Sequence, residues 1–247
     1  LVSRISDHQA VLLMVYATIF GFFFSRNIVF ILQLLNEKLN FWQKVSVLLL
    51  ILVVPIWFIN GFRMYTAFHV FMYGLLPYLM FRNKKMLLFS LLSVFIHFSF
   101  ILPIIILFIY IFFGNKYKAY FILFLLSLVV SELDASVINN LFNSYVPDFM
   151  LDRTESYFEE DKINSHRNTF KTQDLVWYVI WYLKLFTYAL QFLLIYLFFK
   201  KIRNIKKSDR LLNLFSLSLL FYIFTNFVSS IPSGLRFVII SNFLTLL

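Results

Sequence analysis

The sequence predicts an all-α fold, a polytopic transmembrane helical bundle with a re-entrant helical hairpin around His97. Hydrophobic residues make up 61% of the 247 residues and charged residues only 14%, whereas a soluble domain is about 45–50% apolar and about 25% charged. The mean hydropathy is +0.82, and apolar runs of roughly 20 residues, the length that crosses a bilayer, recur along the chain. We therefore expect residues 1–247 to form one transmembrane domain.

The composition also argues against several classes of function. The chain has no cysteine, so it has neither a disulfide framework nor a thiolate metal site. Its five glycines form no phosphate-cradling loop, which argues against a nucleotide-binding fold. The net charge of +10 lies in short tracts between apolar runs, as in membrane-protein loops, which argues against nucleic-acid binding. No metal-ligand spacing is present, and we expect no metal and no cofactor.

The apolar runs predict the membrane segments in chain order. The predicted segments cover residues 10–24, 45–59, 64–81, 86–113, 117–130, 175–199, 211–228 and 231–247. The last is short for a span and the chain begins without methionine, so we expect further membrane segments beyond both ends. Residues 27–42 mix apolar positions with polar ones, which indicates an interfacial amphipathic helix or a tilted continuation of the first span.

Loop charges predict the orientation of the bundle. Basic residues dominate the connections at 82–85, 116–118 and 200–210, whereas nine of the twelve acidic residues lie between residues 131 and 174. Because basic connections face the cytoplasm, we expect residues 131–174 to form an acidic extracytoplasmic loop.

The segment 86–113 conflicts with a single crossing. Both of its flanks are basic, and one crossing of 28 residues would place one flank on the wrong side. Two half-length helices that meet near His97 remove the conflict. Each would be about 18 Å long at roughly 1.5 Å per residue, too short for a core of about 30 Å unless the hairpin is re-entrant. His97, Ser99 and Pro103 supply the polar and helix-breaking character of the turn.

This topology brings three ionisable residues towards the outer face: Arg63, His97 and Arg236. An ionisable group inside or beside a span is a functional hypothesis by default. Guanidinium groups bind phosphate oxygens bidentately, and two of them would suit a lipid-linked diphosphate. Arg63 could equally be an interfacial arginine that snorkels to headgroups. His97 is either a buried histidine held by a backbone carbonyl, or a general base or hydrogen-bond donor.

Two further groups are weaker candidates. His69 lies off the helical face of Arg63, and carboxylates in the acidic loop, such as Glu132 with Asp134, could perform acid–base chemistry. A solvated charged loop is the simpler interpretation of the run 159–161.

Two short motifs resemble the EpsG-like family of bacterial exopolysaccharide and O-antigen repeat-unit polymerases (Wzy-type proteins). The first is the stretch 59–67, which contains Asn60, Arg63 and Tyr65. The second is the stretch 95–103, in which His97 and Ser99 form a His-x-Ser motif. Arg236, which opens the last apolar run, resembles the family's late arginine. Met64 departs from the family pattern, which has glutamine after the first arginine.

The resemblance implies a metal-independent membrane glycosyltransferase that polymerises undecaprenyl-diphosphate-linked oligosaccharide repeat units at the outer face of the bacterial cytoplasmic membrane. Arg63 and Arg236 would bind the departing diphosphate, and His97 would orient or deprotonate the acceptor hydroxyl. We expect the neighbouring polar residues to bind substrate; these are Asn60, Tyr65, Ser99 and Ser233. Implied partners are the lipid-linked oligosaccharide, the bilayer, and chain-length regulator and flippase proteins.

Three other functions remain open. A flippase of lipid-linked sugars would also carry polar residues within its spans, although no internal repeat is visible. A membrane acyltransferase that modifies surface glycans could also use an intramembrane histidine. A non-catalytic assembly subunit is the third alternative.

Overall fold

The computed structural model describes residues 9–35, 39–54, 62–130, 177–228 and 237–247. Within these ranges every regular element is helical and no strand is present. The all-α prediction is therefore confirmed. The expected acidic loop, at 131–174, lies outside the described residues.

The helices of the first half of the chain are α1 to α5. Their bounds are Gln9–Leu34 for α1, Phe41–Val53 for α2, Phe62–Phe81 for α3, Leu87–Ile96 for α4 and Ile101–Phe113 for α5. Short 3₁₀ turns at Lys84–Met86 and Phe98–Phe100 precede α4 and α5.

The helices of the second half are α6 to α10. Their bounds are Tyr117–Val130 for α6, Trp177–Tyr196 for α7, Ile202–Ile205 for α8, Asp209–Val228 for α9 and Val238–Leu246 for α10. A π-helical turn at Leu197–Lys201 joins α7 to α8.

Four helical stretches within the described residues are long and apolar enough to cross a membrane. They are Leu13–Leu34, Arg63–Phe81, Lys184–Ile205 and Asp209–Val228. The shorter helices also expose large apolar side chains: Phe95 is 86% exposed and Phe112 83%. Soluble monomers rarely show extensive apolar surface, so these features together indicate a membrane protein.

The chain divides into two compact units. The first comprises Leu1–Gly114, Asp209–Leu214 and Leu246–Leu247, and the second comprises Asn115–Ser208 and Phe215–Thr245. Helix α9 begins in the first unit and continues in the second. The expectation of one transmembrane domain stays a prediction.

Helix α3 is the core of the first unit, and α1 packs along it in the same direction. The ring of Phe23 contacts that of Tyr73, and further along both helices Phe30 contacts Phe81. Because both contacts advance together along the two helices, α1 and α3 are parallel. The side-chain amide of Asn27 also donates to the His69 carbonyl across this interface, at 2.8 Å.

Helices α4 and α5 form the predicted hairpin against α3. The Ser90 hydroxyl donates to the Phe71 carbonyl and Met86 lies beside Gly74, so α4 runs antiparallel to α3. Helix α5 runs parallel to α3, because Phe100 contacts Phe71 and Tyr110 lies near the end of α3 through Asn213. Both ends of the hairpin therefore lie at the end of α3 that carries Arg82. Re-entry into a bilayer stays a prediction.

The second unit packs α6, α7, α9 and α10 through aromatic and polar contacts. The Phe121 ring on α6 stacks on Phe198 at a centroid distance of 3.6 Å. Phe124 on the same helix contacts Tyr222 of α9. A hydrogen bond from the Tyr222 hydroxyl to Asn242 Oδ1 joins α9 to α10.

The structure changes two predicted boundaries near the start of the chain. Helix α1 does not end at residue 24 but continues to Leu34, so residues 27–34 continue the first span rather than form a separate interfacial helix. Helix α2 begins at Phe41 because Asn40 and Gln43 form a reciprocal capping box, which satisfies two of the helix's unpaired N–H groups. An apolar-run count ignores such caps and placed this start at residue 45.

Candidate functional site

The helix break at His97 is built by local hydrogen bonds. The His97 N–H donates to the Ser93 carbonyl at 3.0 Å and ends α4, and the His97 backbone is extended, with φ −145° and ψ 113°. The Phe100 N–H then donates to the His97 carbonyl. Pro103 lies in the first turn of α5, where a missing N–H removes no helical bond.

The imidazole of His97 is held by Ser99. The Ser99 N–H donates to His97 Nδ1 at 3.3 Å, and the Ser99 hydroxyl oxygen lies 2.6 Å from the same nitrogen. Because a backbone N–H can only donate, Nδ1 is an acceptor in this arrangement. In a neutral imidazole the other nitrogen then carries the proton. His97 Nε2 is therefore a hydrogen-bond donor.

The packing of α4 on α3 places His97 at the end of the unit where α3 begins. Ser90 is bonded to Phe71, and His97 follows Ser90 by as many residues as Met64 precedes Phe71. Since both helices rise by about 1.5 Å per residue and run antiparallel, His97 is level with the first turn of α3. Arg63, in that turn, is exposed.

The structure describes four of the seven predicted site residues. His97 and Ser99 are in contact, and both are half-buried. Arg63 and the half-buried Tyr65 lie in the first turn of α3, at the same end of the first unit. The remaining three lie outside the described residues: Asn60, Ser233 and Arg236.

His69 occupies an apolar cage in the middle of α3. It is 2% exposed, and its ring contacts the rings of Phe20, Phe24 and Phe68. Neither ring nitrogen has a hydrogen-bond partner among the described residues. An enclosed imidazole without a hydrogen-bond partner among the described residues is poorly placed to touch a sugar.

Arg82 is a structural residue rather than only a loop charge. It ends α3 in the left-handed region at φ 57°, with its N–H donating to the Tyr78 carbonyl at 2.9 Å, the αL type of helix cap. Its guanidinium donates to Asn213 Oδ1 at 2.7 Å. Asn213 also accepts from the Tyr110 hydroxyl and donates to the Leu79 carbonyl.

The second unit contains buried polar side chains that sequence reasoning missed. Gln191 donates to Asn226 at 3.0 Å, and Asn226 donates to the Ser127 hydroxyl at 2.9 Å. Asn242 accepts from Tyr222 at 2.7 Å and donates to Thr187 at 3.3 Å. These amides lie in mostly apolar runs, with Asn226 next to Thr225 and Asn242 next to Ser241, and polar side chains in such runs point to helix–helix hydrogen bonds in membranes.

Metal ligation finds no support in the described part of the chain. No group of three His, Asp or Glu side chains there could hold a metal ion.

No protein-family model, curated protein or solved structure matches this chain. The likeness to the EpsG-like polymerases therefore rests on the short motifs around Arg63, His97 and Arg236.

Proposed function

We propose that this chain is a Wzy-type membrane glycosyltransferase that polymerises undecaprenyl-diphosphate-linked oligosaccharide repeat units at the outer face of the bacterial cytoplasmic membrane. The observation that carries the proposal is the His97–Ser99 pair at the helix break, level with the turn that presents Arg63. The break exposes backbone that regular helices conceal, and in membranes such backbone is tolerated where it lines a cavity.

The proposed reaction forms one glycosidic bond. The acceptor hydroxyl oxygen attacks the anomeric carbon of the growing chain, and the bond from that carbon to the diphosphate oxygen breaks. The electron pair leaves with undecaprenyl diphosphate, whose developing charge Arg63 and Arg236 stabilise. The acceptor proton passes to the departing diphosphate, so that no net charge is created.

The tautomer of His97 favours one of its two predicted roles. With Nδ1 accepting from Ser99, Nε2–H is a donor that can orient the acceptor hydroxyl or the diphosphate. A general base would need its Nε2 lone pair, and the Ser99 N–H bond would then be lost. We therefore assign His97 the orienting role, with Ser99 as the residue that positions its ring.

Polymerisation by the purified protein tests the proposal. Purified protein in vesicles with lipid-linked repeat units is expected to make long polymer. His97→Ala should reduce the rate by roughly 100-fold, the usual effect of removing a transition-state donor. His97→Gln keeps an N–H near Nε2 and should retain activity within about tenfold of wild type. Arg63→Ala should lower the rate comparably to His97→Ala.

Lys84→Ala is the matched control, because Lys84 is exposed at the opposite end of α3 and should leave the rate unchanged. Long polymer at the wild-type rate from both Arg63→Ala and His97→Ala would contradict the assignment. An inactive wild-type protein that instead moves intact lipid-linked units across the vesicle would favour the flippase alternative. Equal loss in His97→Gln and His97→Ala would return His97 to the role of a base.

A further inference from the structure

A cavity opens between α1 and α3 in the first unit, away from the His97 turn. Its volume is about 200 Å³. The polar lining residues are Arg26, Asn27 and Gln33 of α1. Tyr73 and Pro77 of α3 and several apolar side chains complete the wall. Arg26 is the one charged residue among the described residues that line it.

The cavity lies at the basic end of the unit. Phe30 lines it and contacts Phe81, the last residue of α3. Met86, in the turn that follows α3, also lines the cavity. Three exposed basic residues, Arg82, Lys84 and Lys85, fall between Phe81 and Met86. By the positive-inside rule this end faces the cytoplasm, so the cavity belongs to the headgroup level of the inner leaflet.

The charge balance around the cavity favours an anion. Arg26 lines the cavity, and Arg82, Lys84 and Lys85 precede the lining residue Met86 in the adjoining turn. The Arg82 guanidinium is engaged by Asn213 and by the Tyr78 ring. Arg26 is exposed and has a planar guanidinium that can bind two oxygens of one phosphate.

The lining also offers groups for a headgroup with hydroxyls. Pro77 has no N–H and cannot donate to the Tyr73 carbonyl one turn before it, so that carbonyl is an acceptor outside the regular helical pattern. The Gln33 amide can donate and accept. The apolar residues Val29 and Leu76 line the remaining wall, which suits an acyl chain rather than bulk water.

The size of the cavity limits its ligand. Pockets for drug-sized molecules span about 300–1,000 Å³, and this cavity is smaller. It fits one phosphate with a glycerol-sized substituent, not a whole oligosaccharide or nucleotide.

We propose that this cavity binds the phosphodiester headgroup of an anionic phospholipid of the cytoplasmic leaflet, with Arg26 on the phosphate and the acyl chains along α1 and α3. Basic pockets between membrane helices on the cytoplasmic side bind such headgroups. The site shares the predicted orientation with the polymerase proposal but uses none of its residues, because it lies at the other end of α3 from Arg63 and His97.

Lipid binding to purified protein in neutral detergent tests this site. Native mass spectrometry would count bound phosphatidylglycerol and phosphatidylcholine on the wild type. We expect phosphatidylglycerol to bind at least tenfold more tightly, because the bulky quaternary ammonium group of phosphatidylcholine neutralises the phosphate that Arg26 would bind. Arg26→Gln should abolish that preference. Val29→Trp keeps the charge and adds bulk at a residue that lines the cavity, and it should weaken phosphatidylglycerol binding as well.

Arg203→Gln is the matched control: it removes the same charge from an exposed position on α8 that does not line the cavity, and should keep the preference. Wild-type selectivity in Arg26→Gln would overturn the proposal. Equal loss in Arg203→Gln would also overturn it, since diffuse charge would then explain binding. Soluble glycerol phosphate that binds as tightly as the lipid would show a free-phosphate site instead. Val29→Trp separates a cavity site from binding by the Arg26 charge alone. A folded Val29→Trp variant that binds phosphatidylglycerol as well as the wild type would contradict a cavity site.

Discussion

At the point where α4 ends, His97 Nδ1 accepts a hydrogen bond from the Ser99 N–H. The Ser99 hydroxyl oxygen lies 2.6 Å from the same nitrogen. The His-x-Ser spacing therefore has a physical use whatever the protein's activity, because the side chain caps the 3₁₀ turn that opens α5. The role that we propose for it in catalysis depends on Nε2, the nitrogen that carries the proton when Nδ1 accepts from Ser99.

His69 gives a prediction about stability rather than about catalysis. Both ring nitrogens lack partners among the described residues, and a buried polar group without a partner is costly. His69→Phe replaces the ring with an apolar one inside a cage of phenylalanines. We expect the free energy of unfolding to stay equal or rise by about 1 kcal/mol, measured by thermal unfolding in detergent.

His97→Phe provides the comparison, because it removes a partnered ring and should lower the unfolding temperature. Thr66→Val is a second, nearly isosteric exchange, at a buried hydroxyl that has no hydrogen-bond partner among the described residues. Like His69→Phe, it should leave the free energy of unfolding equal or slightly higher. Destabilisation of His69→Phe by more than about 2 kcal/mol would mean that the ring has a polar partner in the folded protein.

At the scale of elements, the α3–α4 crossing depends on Gly74. A Cβ there would lie 2.5 Å from the backbone nitrogen of Ser90 and 2.6 Å from the Met86 carbonyl oxygen. Both are backbone atoms, so relief requires the helices to separate. Small residues permit such close approach between membrane helices.

Gly74→Ala is therefore expected to destabilise the protein by about 1–3 kcal/mol, the usual cost of overpacking. Gly21→Ala is the matched control, because a Cβ at Gly21 meets nothing within 4 Å and alanine favours a helix by about 1 kcal/mol. Thermal unfolding of both variants separates them. Equal unfolding temperatures would show that the crossing is looser than the structure indicates.

The sequence predicted most helices because each apolar run is long, and it predicted the His97 break because two basic flanks cannot lie on opposite sides. It could not identify the polar interior of the second unit. Asn226 lies in α9, whose polar and apolar residues are hardly segregated to opposite faces, so periodicity does not tell which direction faces a neighbour. Asn213 was equally hidden, because its partners Arg82 and Tyr110 are far away in sequence.

At the scale of the whole molecule, the proposed function depends on which side of the membrane each helix end reaches. Within the first unit, both ends of the α4–α5 hairpin lie at the end of α3 that carries Arg82, so the two basic flanks of residues 86–113 share one end, as the loop charges predict. Of the candidate site, sequence identified Arg63 and His97, and the structure adds that they share one end of this unit. The contribution of Arg236 stays a prediction.

Cysteine labelling in intact cells tests this sidedness most directly, since the chain has no native cysteine. Single variants His97→Cys, Lys84→Cys and Lys116→Cys would be treated with a membrane-impermeant thiol reagent, before and after permeabilisation. If the hairpin turn faces outward and the basic connections face the cytoplasm, position 97 reacts in intact cells, whereas positions 84 and 116 react only after permeabilisation. Labelling of 84 and 116 from opposite sides, or of 97 only from the cytoplasm, would contradict the hairpin and the outward-facing site.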